Sequence, residues 1–88
     1  MNSNARVSPP IKASAELGQA VRRHRKAKGL TQDTVASLSG VSTGFLSDLE
    51  NGKPTTELGK ILQVLQTLGL ELHVVPRGHR AGLTTQAK

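Results

Sequence analysis

Within seven consecutive residues, Arg22-Arg23-His24-Arg25-Lys26-Ala27-Lys28, all but the histidine and the alanine carry a fixed positive charge. Charge of that density does one kind of chemistry well: it attracts phosphates and other polyanions. The rest of the chain leans the same way, with 12 Lys and Arg against 6 Asp and Glu and a net charge of +6. Catalytic combinations are another matter. The sequence offers no paired carboxylates, no Ser/His/Asp set and no phosphate-cradling loop. It has no cysteine, which excludes thiol catalysis, disulfide frameworks and Cys-based zinc sites. His24, His73 and His79 are scattered and make no metal cluster. Phe45 is the only other ring, too little for a platform that stacks single-stranded bases. An enzyme is the least favoured class, no cofactor is expected, and a polyanion is the partner the composition favours.

Whatever positions the basic run must be small. A chain of 88 residues makes one domain, near the size where a single core just suffices. That core has to come from Leu, Val, Ile and Ala, which suits packed helices. No apolar run approaches the ~20 residues of a membrane span, and MNSNARVSPP lacks a signal-peptide stretch. A cytoplasmic protein with no membrane partner is expected. Residues 1–13 read as a disordered arm, 14–76 as the folded domain and 77–88 as a disordered basic tail.

Four helices are written into the domain. The first has Ser14 as N-cap and Glu16 near its positive end, and closes at Gly29. Leu17 and Val21 face inward with Ala20 beside them, and His24 reads as a partly buried structural residue. Thr31 caps the second helix, with Leu30 stapling onto Val35 and Gly40 as the stop. Ser42 caps the third, Val41 staples onto Leu46, and Asn51-Gly52 closes it ahead of Pro54. The fourth runs from Thr55 or Thr56 to Leu68, with Leu58, Ile61, Leu62, Leu65 and Leu68 as its buried stripe. After Gly69 the period changes to two, which predicts a strand over 70–75, ended by Pro76. The chain has no second strand to pair with it.

Two short helices joined by a tight glycine turn, the second with a polar outer face, describe a helix-turn-helix. The run Gly29-Leu30-Thr31-Gln32, Val35-Ala36, Gly40-Val41-Ser42, Phe45-Leu46-Ser47, Leu49-Glu50-Asn51-Gly52 closely resembles the Cro/phage-repressor (Xre) family over about residues 15–68. That resemblance implies a mainly α, four-to-five-helix, lambda-repressor-like DNA-binding domain. It places Ser42, Thr43, Gly44 and Ser47 toward the major groove, with Asp48 beside them as a possible acceptor for a cytosine amino group. None of these is a bidentate reader, so hydroxyls, thymine methyls and DNA shape are expected to carry the readout. Gln32 falls on the position that grips phosphate, with Thr31, Asn51, Lys53 and Arg22 as further backbone candidates. Thr31 and Ser42 are caps whether or not they touch DNA. Arg22, Arg23, Lys26 and Lys28 read equally well as a solvated basic face. Arg25 and Glu50 match an internal ion pair of the family.

The ending Leu65-Gln66-Thr67-Leu68-Gly69 followed by Leu70-Glu71-Leu72-His73-Val74-Val75 is similar to the HipB-type antitoxins, which implies one C-terminal β-strand per protomer forming an intersubunit ribbon. Leu70, Leu72 and Val74 would face the helices, and Glu71 and His73 solvent, with Glu71 near His73 of the other copy. The implied function is a homodimeric repressor of an inverted-repeat operator, antitoxin to a HipA-type kinase and autorepressor of its operon. A plain Xre regulator, an antitoxin of another toxin class and a protein-interaction inhibitor without DNA binding stand as alternatives.

Overall fold

The computed structural model describes residues 9–54 and 57–77. Most of the arm expected over 1–13 and all but the first residue of the tail over 77–88, His79 included, lie outside the described residues. Four helices follow in order: α1 (Ser14–Ala27), α2 (Gln32–Ser39), α3 (Thr43–Glu50) and α4 (Leu58–Thr67). The molecule is mainly helical, and no helix among the described residues is long and apolar enough to cross a membrane.

Local chemistry sets the boundaries. The Thr31 hydroxyl accepts the Thr34 N–H at 3.1 Å and starts α2. The Ser42 hydroxyl accepts the Phe45 N–H at 2.9 Å and starts α3. Each satisfies a donor the first turn would leave unpaired. Between them Gly40 takes φ 74°, the left-handed conformation that reverses the chain after α2.

Three expectations are corrected. Ser14 is already helical, and Ala13 occupies the capping position without a side-chain bond. The Glu16 carboxylate does the work instead, reaching back to accept the Lys12 N–H. His24 is exposed, because Arg25, four residues after Val21, holds the inward place. Helix α4 begins at Leu58, after Glu57 with non-helical backbone, while Thr55 and Thr56 lie outside the described residues. Its buried stripe is Ile61, Val64, Leu65 and Leu68, and Leu58 and Leu62 stand 53% and 41% exposed. At ~100° per residue the centre of that stripe lies about 70° from Leu58 and about 110° from Leu62, so Val64 is buried in their place.

The core joins these four to Val21, Val35, Ala36, Leu46 and Leu49, with Leu17, Leu30, Val41, Phe45 and Leu70 packed around it. Each buried Val, Leu or Ile side chain contributes roughly 1.5–3 kcal/mol. Helix α1 rests on α3, and α2 touches both α3 and α4. The α1–α3 approach is close enough to require glycine. A Cβ on Gly18 would run into the Leu49 carbonyl oxygen and lie 2.8 Å from that of Glu50. The crossing holds Glu50 against α1, where Arg25 meets it.

Beyond α4 the Leu70 N–H returns to the Leu65 carbonyl at 2.8 Å, and Leu70 packs on the core. The strand expected over 70–75 joins no ladder among the described residues. In the single chain Leu72 and Val74 stand 50% and 91% exposed. Glu71 and His73 fall on one side, two residues apart, and meet within the chain at 2.9 Å.

Candidate nucleic-acid interface

The α2–turn–α3 unit presents one polar surface. Ser42, Thr43, Gly44 and Asp48 are exposed along the start and outer side of α3, and Ser47 is half-buried behind them. Gly44 has only the Ser42 hydroxyl near its missing Cβ, at 3.9 Å, so the backbone there is open to close approach. Asp48 and Lys53 form a loose exposed contact at 3.5 Å, and Asn51 leans on Ser47 at the same distance. Pairs this exposed contribute little to stability and are free to rearrange.

Beside α3 an open hollow separates the end of α1 from the start of α2. Arg22 and Lys26 line one wall, Thr31, Gln32 and Asp33 the other, and Thr43 closes the side nearest α3. The amino end of α2 adds the positive pole of its backbone dipole to these two cations. A phosphate-sized anion suits this wall.

Behind the surface lies the network that fixes it. Arg25 Nε and Nη2 donate to Glu50 Oε2 and Oε1 at 2.6 and 3.0 Å, and Nη1 donates to the Leu30 carbonyl at 2.7 Å. Both side chains are nearly sealed from solvent. Burial alone would push the Glu50 carboxyl up. The hydrogen bonds from Arg25 and Gln32, with the charges of Arg25 and Arg22, outweigh it and hold the group below its ordinary range. The hydrogen bond to Glu50 raises Arg25 in turn, against its own burial. One guanidinium thus ties α1, the carbonyl before α2 and the last residue of α3 into a single block.

Gln32 belongs to that block as well as to the surface. Its Nε2 donates to Glu50 Oε1 at 3.0 Å, which fixes the side chain at the mouth of the hollow. An amide nitrogen has a second hydrogen, and that one remains for a ligand. Sequence reasoning missed this bond, and no spacing rule would have found a contact 18 residues apart. It also missed Asp33, whose place in the first turn of α2 reads as a helix-end charge. In the structure Asp33 Oδ1 accepts the Thr43 hydroxyl at 2.8 Å.

Comparison with known proteins converges on one kind of molecule. A family model described as Helix-turn-helix domain matches residues 16–77. The HTH-type transcriptional regulator y4mF of Sinorhizobium fredii is 49% identical over 70 residues, which cover 80% of this chain and 92% of that protein. Among solved structures, the restriction-modification controller protein C.AhdI from Aeromonas hydrophila is 36% identical with a TM-score of 0.61, over 66% of this chain and 88% of that one. A chain of the HipA-HipB-O2-O3 complex is 26% identical with a TM-score of 0.72, over 80% of this chain and 99% of that one.

Proposed function

The chain belongs to the helix-turn-helix domain family and is a DNA-binding transcriptional regulator of the Xre type, and from that premise we propose that it is a homodimeric operator repressor that doubles as antitoxin to a HipA-type kinase. In this reading Ser42, Thr43, Gly44, Ser47 and Asp48 meet base edges. Arg22, Thr31, Gln32, Asn51 and Lys53 hold phosphates, a division in which the second group positions and the first specifies. The dimer forms through Leu70, Glu71, Leu72, His73 and Val74, pairing with the same segment of a second copy. The exposure of Leu72 and Val74 supports this, since apolar side chains beside an unpaired backbone call for a cover. The protein works in the cytoplasm, on its own promoter.

The observation that carries the reading is the likeness to the HipA-HipB-O2-O3 complex, which takes in 80% of this chain. That share is larger than the stretch from α1 to α4, so it includes residues flanking the helices. The test has two arms. Gel shifts on the protein's own promoter should show an inverted-repeat site with half-sites ~34 Å apart, and a loss of about 10³–10⁵ in affinity between roughly 50 and 200 mM salt. Co-expression with the adjacent reading frame should co-purify a kinase-like protein. No preference over random duplex would refute the repressor, and no co-purifying kinase the antitoxin. The second outcome would favour a plain regulator, a reading supported by the higher identity to the controller C.AhdI.

A further inference from the structure

Resting on the DNA-binding reading, we infer that Asp33 is a positioning residue for base recognition, because its carboxylate takes the hydroxyl proton of Thr43 and leaves that oxygen able only to accept. Thr43 opens α3, and Asp33 sits in the first turn of α2, across the turn that joins the two helices. Thr43 Oγ1 donates to Asp33 Oδ1 at 2.8 Å, and both side chains are exposed on the face presented to DNA. A carboxylate accepts and does not donate, so the direction of this bond is set by chemistry. A threonine hydroxyl has one proton and two lone pairs. With the proton committed, the lone pairs remain.

The consequence is a specific choice among bases. In the major groove the amino groups of adenine and cytosine donate, whereas guanine presents O6 and N7 and thymine presents O4 as acceptors. A free threonine hydroxyl rotates to suit either class. Held by Asp33, Thr43 suits only a base with an amino group and meets the acceptors of guanine and thymine as a mismatch. In free protein, water competes for the exposed bond. Against duplex that water is excluded, and the carboxylate at the side of the groove confines the hydroxyl.

The same carboxylate has a second effect. Asp33 lines the hollow with Arg22, Lys26 and Gln32, so it sets one negative charge among groups that attract phosphate. It therefore weakens binding to every sequence alike while sharpening the choice at one base pair. Tight non-specific binding and good discrimination are traded against each other at this residue.

Two substitutions separate the effects. Asp33→Asn keeps an oxygen that accepts from Thr43 but removes the charge, and Asp33→Ala removes both. Selection from a random duplex pool, followed by binding to the selected site and to random duplex, reads base preference and general affinity together. Wild type should select adenine or cytosine at one position of each half-site. Asp33→Ala and Thr43→Val should lose that preference by about tenfold at the same position. Asp33→Asn should retain it. Both Asp33 variants should bind random duplex about fivefold more tightly. A merely structural Asp33 would shift the melting temperature and leave the selected base unchanged. That result, or Asp33→Asn losing the preference along with Asp33→Ala, overturns the inference and leaves the DNA-binding reading intact. If wild type selects no sequence at all, the DNA-binding reading fails and the inference falls with it.

Discussion

Replacing Arg25 with alanine tests the link between the buried network and the fold. The substitution removes two hydrogen bonds to Glu50 and one to the Leu30 carbonyl. It strands a carboxylate that is almost wholly buried, with Gln32 as its one remaining hydrogen-bond donor among those described here. Breaking a buried pair in this way costs ~3–5 kcal/mol. A folded unit of about 70 residues has only ~4–10 kcal/mol in total. At ~4–8 °C per kcal/mol, the melting temperature should fall by roughly 12–40 °C, against no more than a few degrees for the exposed Lys28→Ala. Thermal melts followed by circular dichroism at matched concentration give the comparison. Acid titration adds a check on mechanism. In wild type the Glu50 carboxyl is depressed, so its stabilisation is present above the unfolded value of ~4.3 and is lost as pH falls through the folded one. Without Arg25, burial is opposed only by the Gln32 hydrogen bond and the Arg22 charge, so Glu50 should rise from its wild-type position. The slope of stability with pH near 4–5 should then fall in the variant, or reverse. Equal melting temperatures for Arg25→Ala and Lys28→Ala, or an unchanged acid slope, would refute the argument.

Three further outcomes are expected. Gly18→Ala should destabilise by ~1–3 kcal/mol because its Cβ meets the Leu49 and Glu50 carbonyls, while Gly59→Ala, with nothing within 4 Å, should stabilise by up to ~1 kcal/mol; opposite shifts in melting temperature check the pair. Gln32→Ala should weaken binding to operator and random duplex by similar factors, as a phosphate contact does, and a selective change in base preference by gel shift would contradict this. Leu72→Pro should move the dimer toward monomer and lower operator affinity, and sedimentation equilibrium showing a fully dimeric variant at micromolar concentration would place the interface elsewhere.

Much of this fold was legible because its boundaries are local. The caps at Thr31 and Ser42 and the stop at Gly40 each depend on residues within one turn, and the structure forms them as the sequence predicts. Other positions turn on contacts that no period or cap rule encodes, some local and some far off in the chain. Ser14 has the right chemistry for a cap, but Glu16 serves the same helix end from inside the first turn. The α4 stripe was misjudged because Leu58 and Leu62 fit a helical period as well as Val64 does, and only the position of α2 decides between them. The need for glycine at 18 shows only once α3 is placed against it. The surface was the least legible part. Small hydroxyls have little preference of their own, and the Thr43 hydroxyl is bonded to Asp33, ten positions earlier.

Stability and recognition meet at Glu50. Its carboxylate closes the ion pair with Arg25 and also holds the amide of Gln32, the residue proposed to grip phosphate. A free glutamine side chain loses rotamer freedom when it binds, at up to ~1.5–2 kcal/mol. Here part of that ordering is complete before any ligand arrives, because Gln32 is half-buried and already bonded. The carboxylate that holds it is itself fixed by a guanidinium reaching from α1. Restraint thus passes from the core to the hollow through three hydrogen bonds, two from Arg25 to Glu50 and one from Gln32. On the proposed assignment, this arrangement lets a surface of small residues on short helices register against a duplex. In the proposed reading the phosphate grip is set by buried charge, and the exposed hydroxyls of α3 are left to discriminate among bases.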